Sequence, residues 1–247
     1  MLKKAVRQEV EKLYLDIWKD RVMQLVMQGD FIKLLESEQS NVTWKSIIYG
    51  VPKGVMGFAM RSATNTLATQ DNLKRWKKIT SDSCQMCSQP GRPLAKATLH
   101  HVLNHCGAFL GEQERFTWRH NSVLSYMAET LKESLPDNIK VYADLEWHKV
   151  CGGTLPPNIV QTESRPDLVL VDSVQRTVWL LELTCSFESN FEAANKRKTE
   201  RYACLAADIE ASDYQCHNLL FEIGSKGYIN MQNKSPLTLV HQLCKPK

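Results

Sequence analysis

The sequence predicts an α/β (α+β) protein with a helical, basic N-terminal region, a short cysteine- and histidine-rich knuckle, and a mixed-sheet core. Three observations carry this. Through about residue 80, apolar residues recur at threes and fours with no period-2 alternation. Between Cys84 and Cys106 the texture turns to Cys, His, Pro and Gly. Beyond that, apolar runs follow the order helix, strand, strand, strand, helix, strand.

Residues 3–28 read as one long helix, because Val6, Val10, Leu13, Ile17, Val22, Leu25 and Val26 share a face opposite Lys and Glu, and Gly29-Asp30 stops it. A shorter helix at about 31–37, a segment at 44–49 and a helix over 56–67 after Pro52-Lys53-Gly54 follow. After the knuckle, an amphipathic helix over 116–135 turns Val123, Leu124, Met127, Ala128 and Leu131 inward, and Pro136-Asp137 ends it. Strands are expected at 140–147, 166–172, 177–185 and 218–223, with a helix from about 189 to 211 between the last two. Gly224-Ser225-Lys226-Gly227 reads as a turn, with close approach to a backbone phosphate as the alternative. The resulting boundaries are 1–83 for the linker region, 84–110 for the knuckle and 111–247 for the core.

At 247 residues, 43% hydrophobic and 23% charged, the chain can bury a core. No apolar stretch reaches the roughly 18 residues that a membrane span needs, and Met1-Leu2-Lys3-Lys4 opens no signal peptide. An intracellular protein with no membrane partner is expected. The eight cysteines form one Cys-x-x-Cys pair plus scattered singles, several of them (Cys185, Cys204, Cys216) in apolar elements, so no disulfide framework is expected. Net charge is +4, and the basic excess lies in residues 1–83, with 14 Lys/Arg against 9 Asp/Glu. Lys74, Arg75, Lys77 and Lys78 surround Trp76, a mix of cations and a stacking ring that suits a nucleic-acid backbone. A solvated helix end around a buried Trp76 is the alternative.

Cys84-x-x-Cys87 can place two thiolates on one tetrahedral ion, and His100-His101-Val102-Leu103-Asn104-His105-Cys106 offers further ligands. Zinc is the natural occupant. The preferred set is Cys84, Cys87, His101 and Cys106, with His100 and His105 as competitors. Four protein ligands argue for a structural site.

Asp167 precedes the run Leu168-Val169-Leu170-Val171, and Glu182 lies inside Val178-Trp179-Leu180-Leu181-Glu182-Leu183. An ionised carboxylate in a core strand is costly unless something compensates it. Two of them, 15 positions apart on runs joined by one short turn, suggest a shared divalent cation, Mg²⁺ or Mn²⁺. Such an ion would serve hydrolysis of a phosphodiester. On the following helix, Phe191, Asn195, Lys198, Tyr202, Leu205 and Ile209 share one direction, which puts Lys198 in the buried stripe. Its ammonium could neutralise the acids or stabilise a pentavalent transition state.

Together these residues resemble the restriction-like endonuclease domain of site-specific non-LTR retrotransposons, a branch of the PD-(D/E)xK nuclease superfamily. The resemblance covers most of the chain. Asn72-Leu73-Lys74-Arg75-Trp76 looks like the linker that follows the reverse transcriptase thumb, and Cys84, Cys87, His101 and Cys106 match the CCHC knuckle. Arg119-His120-Asn121 matches the RH(D/N) step, Arg165-Pro166-Asp167 with Glu182 the metal-binding acids, and Lys198 and Tyr202 the basic and tyrosine positions. The superfamily's usual lysine position is Thr184 here, so Lys198 would replace it from the helix, with Lys196 and Arg201 as alternatives. Arg119 and His120 could anchor a phosphate or cap their helix. The resemblance implies a nuclear endonuclease that nicks double-stranded DNA to prime reverse transcription. It implies element RNA and a reverse transcriptase region as partners, the chain being a C-terminal piece of a larger polyprotein or a separated copy. The rival expectation is a nucleic-acid-binding zinc module that no longer cleaves.

Overall fold

The computed structural model describes residues 2–25, 28–29, 50–88, 91, 94–146, 154–230 and 234–244. The helix expected at 31–37, the segment at 44–49 and the strand end at Trp147 lie outside the described residues. Two compact units divide the chain: Met1–Ser83 with Lys96–Leu99, and Cys84–Ala95 with His100–Lys247.

The first unit is helical. Helix α1 spans Leu2–Met23, ending earlier than its apolar period suggests, because periodicity marks a face and not an end. The Gly29 N–H donates to the Leu25 carbonyl. Helix α2, Lys53–Ala63, starts directly after Pro52, whose fixed φ suits the turn before a helix. It ends where Asn65 takes a left-handed φ of 50°. Helix α3, Gln70–Arg75, is capped by Thr69, whose Oγ1 accepts from the Asn72 N–H at 3.2 Å. Asn72 is fully buried and its amide donates to the Asn65 and Leu67 carbonyls, fastening the α2–α3 connection.

The second unit carries the knuckle and the sheet. Helix α4 spans Arg115–Ser134, strand β1 Ile139–Ala143, β2 Leu168–Asp172 and β3 Thr177–Thr184. A 3₁₀ turn at Glu188–Asn190 leads into helix α5, Phe191–Ala211, then strand β4, Gln215–Glu222, and helix α6, Lys234–Leu243. The sheet order is β1-β2-β3-β4, antiparallel except for the parallel β3–β4 pair that α5 connects. The protein is therefore mixed α/β.

Alternation along the strands builds two cores. Leu168, Leu170, Trp179, Leu181 and Leu183 face α4 and α6, where Leu124, Ala128, Leu131 and Val240 pack. Val169, Val171, Val178 and Leu180 face α5, against Tyr202, Leu205 and Ile209. A sheet covered on both faces needs continuous apolar runs, which is why β2 and β3 read as such. The β2–β3 turn is fixed by buried Asp172, whose Oδ1 accepts from the Val174 and Gln175 N–H groups at 2.8 and 2.9 Å. Asp167 and Glu182 share the parity of the α5 face.

Candidate active site and metal cluster

Asp167 stands one residue ahead of β2. The register that pairs Leu168 with Leu181 sets it opposite Glu182. The Asp167 N–H donates to Glu182 Oε1 at 3.0 Å, and the Leu183 N–H donates to Asp167 Oδ2 at 2.8 Å, so each acid is held by backbone of the other's strand.

Lys198 reaches both from the inward face of α5. Its Nζ lies 2.7 Å from Asp167 Oδ2, 2.6 Å from Glu182 Oε2 and 2.8 Å from the Leu183 carbonyl oxygen. An ammonium has three donors, and all are engaged. Three oxygens thus converge on one cation. Lys196 and Arg201 are exposed on other faces of the helix, with the Arg201 guanidinium over the Tyr202 ring. Tyr202 is buried, and its hydroxyl donates to the Arg165 carbonyl at 3.0 Å, fixing the backbone that leads into Asp167.

Charge separates the two acids. Burial opposes ionisation of Asp167, but the hydrogen bond from His120 and the charge of Lys198 outweigh it and hold the carboxyl well below its usual range. Burial, then the charge of Asp167, pushes Glu182 up to about 7 despite Lys198. Burial works against the Lys198 ammonium, yet the charges of Glu182 and Asp167 raise its pKa above the usual lysine value.

The α4 residues Arg119 and His120 point to different partners. Neither caps the helix, which begins at Arg115. His120 Nε2 lies 3.4 Å from Asp167 Oδ2, and its Nδ1 lies 3.2 Å from Asn121 Oδ1. Burial lowers the basicity of His120, but its bond to Asp167 more than compensates and raises the pKa. Arg119 Nη2 donates to the Leu103 carbonyl at 2.8 Å.

Leu103 lies in the chain between two residues of the second cluster. Cys84, Cys87, His101 and Cys106 bring their ligand atoms within 4.8 Å of one another. Cys84 Sγ and Cys87 Sγ lie 3.8 and 3.7 Å from Cys106 Sγ, and Cys87 Sγ lies 3.5 Å from His101 Nε2. Metal bonds of about 2.3 Å to sulfur and 2.05 Å to nitrogen give tetrahedral edges of about 3.8 and 3.5 Å. The donor set fits a metal ion such as zinc, and the thiols are not paired as disulfides. His101 supplies the nitrogen, while the His100 and His105 rings lie tilted against each other with centroids 4.1 Å apart. Burial, then the neighbouring His105, lowers the His101 pKa, which keeps the ring neutral as a ligand must be. Burial pushes the Cys106 thiol up to about 11, so metal loading must expel its proton. A π-helical turn at His101–His105 is followed by one at Gly107–Gly111; the wider turn lets His101 and Cys106 reach one point.

The basic segment lies in the first unit. Lys74 through Lys78 are exposed at the end of α3, with Trp76 40% exposed rather than buried. Lys74 Nζ pairs with Asp82 Oδ1 at 3.0 Å. Arg75 donates to Asn72 Oδ1 and to the Asn65 carbonyl. Lys77 takes a left-handed φ of 57° just past the helix, and Lys78 follows it.

Two contributors escape a reading of the sequence. The Leu183 carbonyl has no side-chain signature at all. Glu188, buried ahead of α5, accepts from the Lys226 N–H at 2.8 Å and braces the 224–227 turn. A side chain at Gly224 would collide with its carboxylate. No protein-family model matches the chain, and no curated protein matches it.

Proposed function

We propose that this chain is a divalent-metal-dependent DNA endonuclease of the PD-(D/E)xK type, resembling the domain with which non-LTR retrotransposons nick their target. The observation that carries the proposal is the convergence of Asp167 Oδ2, Glu182 Oε2 and the Leu183 carbonyl on one cation position, 2.6–2.8 Å from Lys198 Nζ. Two carboxylates and a carbonyl are the hard donor set that suits Mg²⁺ or Mn²⁺. Such an ion would polarise the scissile phosphate and lower the pKa of an attacking water.

The chain's own groups do the rest. Asp167 stays ionised at any working pH, and Glu182 loses its proton near neutrality. Lys198, once out of the seat, carries its ammonium on a four-carbon stem to the phosphoryl oxygens, where charge grows in the transition state. Tyr202 holds the Arg165 carbonyl and so the angle at which Asp167 enters. Cys84, Cys87, His101 and Cys106 hold a structural Zn²⁺. Lys74, Arg75, Lys77 and Lys78 contact phosphates and Trp76 stacks, with Arg119 and His120 near the cut strand. The partners are duplex DNA, element RNA and a reverse transcriptase region, in the nucleus.

One observation favours a second reading, a nucleic-acid-binding zinc module without cleavage: Lys198 already bonds both acids. A nicking assay on duplex DNA separates the two. Nicking in Mg²⁺ or Mn²⁺, abolished by Asp167→Ala and strongly reduced by Lys198→Ala, is expected. Binding with a steep salt dependence but no cleavage in either metal selects the binding module. Parental cutting by both variants refutes the site.

A further inference from the structure

We propose that Arg119 and His120 form a positioning device that couples the cysteine and histidine cluster to the carboxylate centre, so that metal loading of the cluster sets the geometry of Asp167. The inference rests on the two sites as read above.

Arg119 and His120 are adjacent on α4, so one rigid turn of helix joins both contacts. Arg119 fastens to the Leu103 carbonyl, which lies between the cluster ligands His101 and Cys106. His120 touches Asp167 at Oδ2, the oxygen that also takes the Leu183 N–H and the Lys198 ammonium. A second brace runs beside the first. The His100 ring meets Phe187 edge-on with centroids 4.5 Å apart, and Phe187 follows the end of β3, the strand that carries Glu182.

The cluster is the two-state element that coupling requires. Closed on a metal, it holds the Leu103 carbonyl where Arg119 reaches it. Emptied, three thiols packed within 4.8 Å lose what joins them, and the π-helical turn can relax. Arg119 then loses its acceptor in a half-buried place, and His120 moves with the same helix turn. Asp167 loses one of its three holds.

Hydrogen exchange on the full chain, without DNA or added divalent metal, tests this. The Asp167 and Leu183 amides report directly, since both are bonded to the opposing carboxylate. Removing zinc with a chelator is expected to speed exchange in the peptides containing them about tenfold, while the β1 peptide stays protected. Arg119→Met in the metal-loaded chain is expected to do the same, with the thiolate-to-metal spectrum of a cobalt-substituted cluster unchanged. Arg119→Lys, which keeps a donor, is expected to restore protection. Parental exchange at Asp167 and Leu183 in Arg119→Met overturns the proposal, as does an equal rise in β1. A chain that shows the Arg119 effect but never nicks DNA sinks the endonuclease reading alone. One that nicks while these amides ignore Arg119→Met sinks the coupling alone.

Discussion

Lys198→Met is expected to tighten divalent-metal binding while strongly reducing cleavage, because the ammonium occupies the seat proposed for the metal. The Lys198 side chain is 23% exposed, and those of Asp167 and Glu182 are 15% and 1% exposed, so solvent screens the pair weakly. A charge-assisted hydrogen bond contributes about 1.5–3 kcal/mol. Rehydration of a displaced ammonium offsets most of its three bonds, and one bond's worth left over corresponds to a Kd lower by about 10- to 150-fold. Titrating Mn²⁺ by calorimetry at pH 8, above the parent's Glu182 pKa of about 7, and at higher pH for the variant, where loss of the Lys198 charge raises that pKa further, measures it. Without metal the variant leaves two acids facing each other, which costs about 3–5 kcal/mol in urea unfolding. Adding Mn²⁺ or lowering the pH is expected to restore that loss. Mn²⁺ binding equal to or weaker than the parent's refutes the shared seat.

The Glu182 pKa is raised from its ordinary carboxylate value to about 7 and that of His120 is raised too. Both groups bind protons more tightly folded than unfolded, so their contributions are present at lower pH and lost as pH rises through the folded values. The melting temperature is therefore expected to fall as pH rises from the ordinary carboxylate value of 4.5 towards about 7, and Glu182→Gln to flatten that slope; an unchanged slope refutes the Glu182 assignment. Metal analysis is expected to find one tightly held zinc per chain, with Cys106→Ser releasing most of it and melting the second unit at lower temperature. Tyr202→Phe removes the bond from a buried ring to the Arg165 carbonyl, so it is expected to lose about 0.5–1.5 kcal/mol of unfolding free energy.

The sheet was legible because both of its faces are covered: LVLV and VWLLEL have no other use than central strands. The phase of α5 was legible for the same reason, since a lysine among Phe191, Tyr202, Leu205 and Ile209 must find an anion. Helix α6 was missed, although Leu239, Val240 and Leu243 keep its spacing, because Pro236 reads as a break when it sits in a first turn. Spacing alone could not choose among His100, His101 and His105. The choice depends on a π-helical turn whose dihedral angles have no residue signature. His120 at Asp167 was hidden because the contact joins a helix to a strand start 47 residues away, and the Leu183 carbonyl because every residue has one.

Crystals of the full chain soaked in Mn²⁺ test the central claim most directly. Anomalous scattering is expected to place an ion at about 2.2 Å from Asp167 Oδ2, Glu182 Oε2 and the Leu183 carbonyl oxygen, with Lys198 Nζ withdrawn. Lys198 still bonded to all three oxygens in saturating Mn²⁺, with the ion elsewhere or absent, would contradict it.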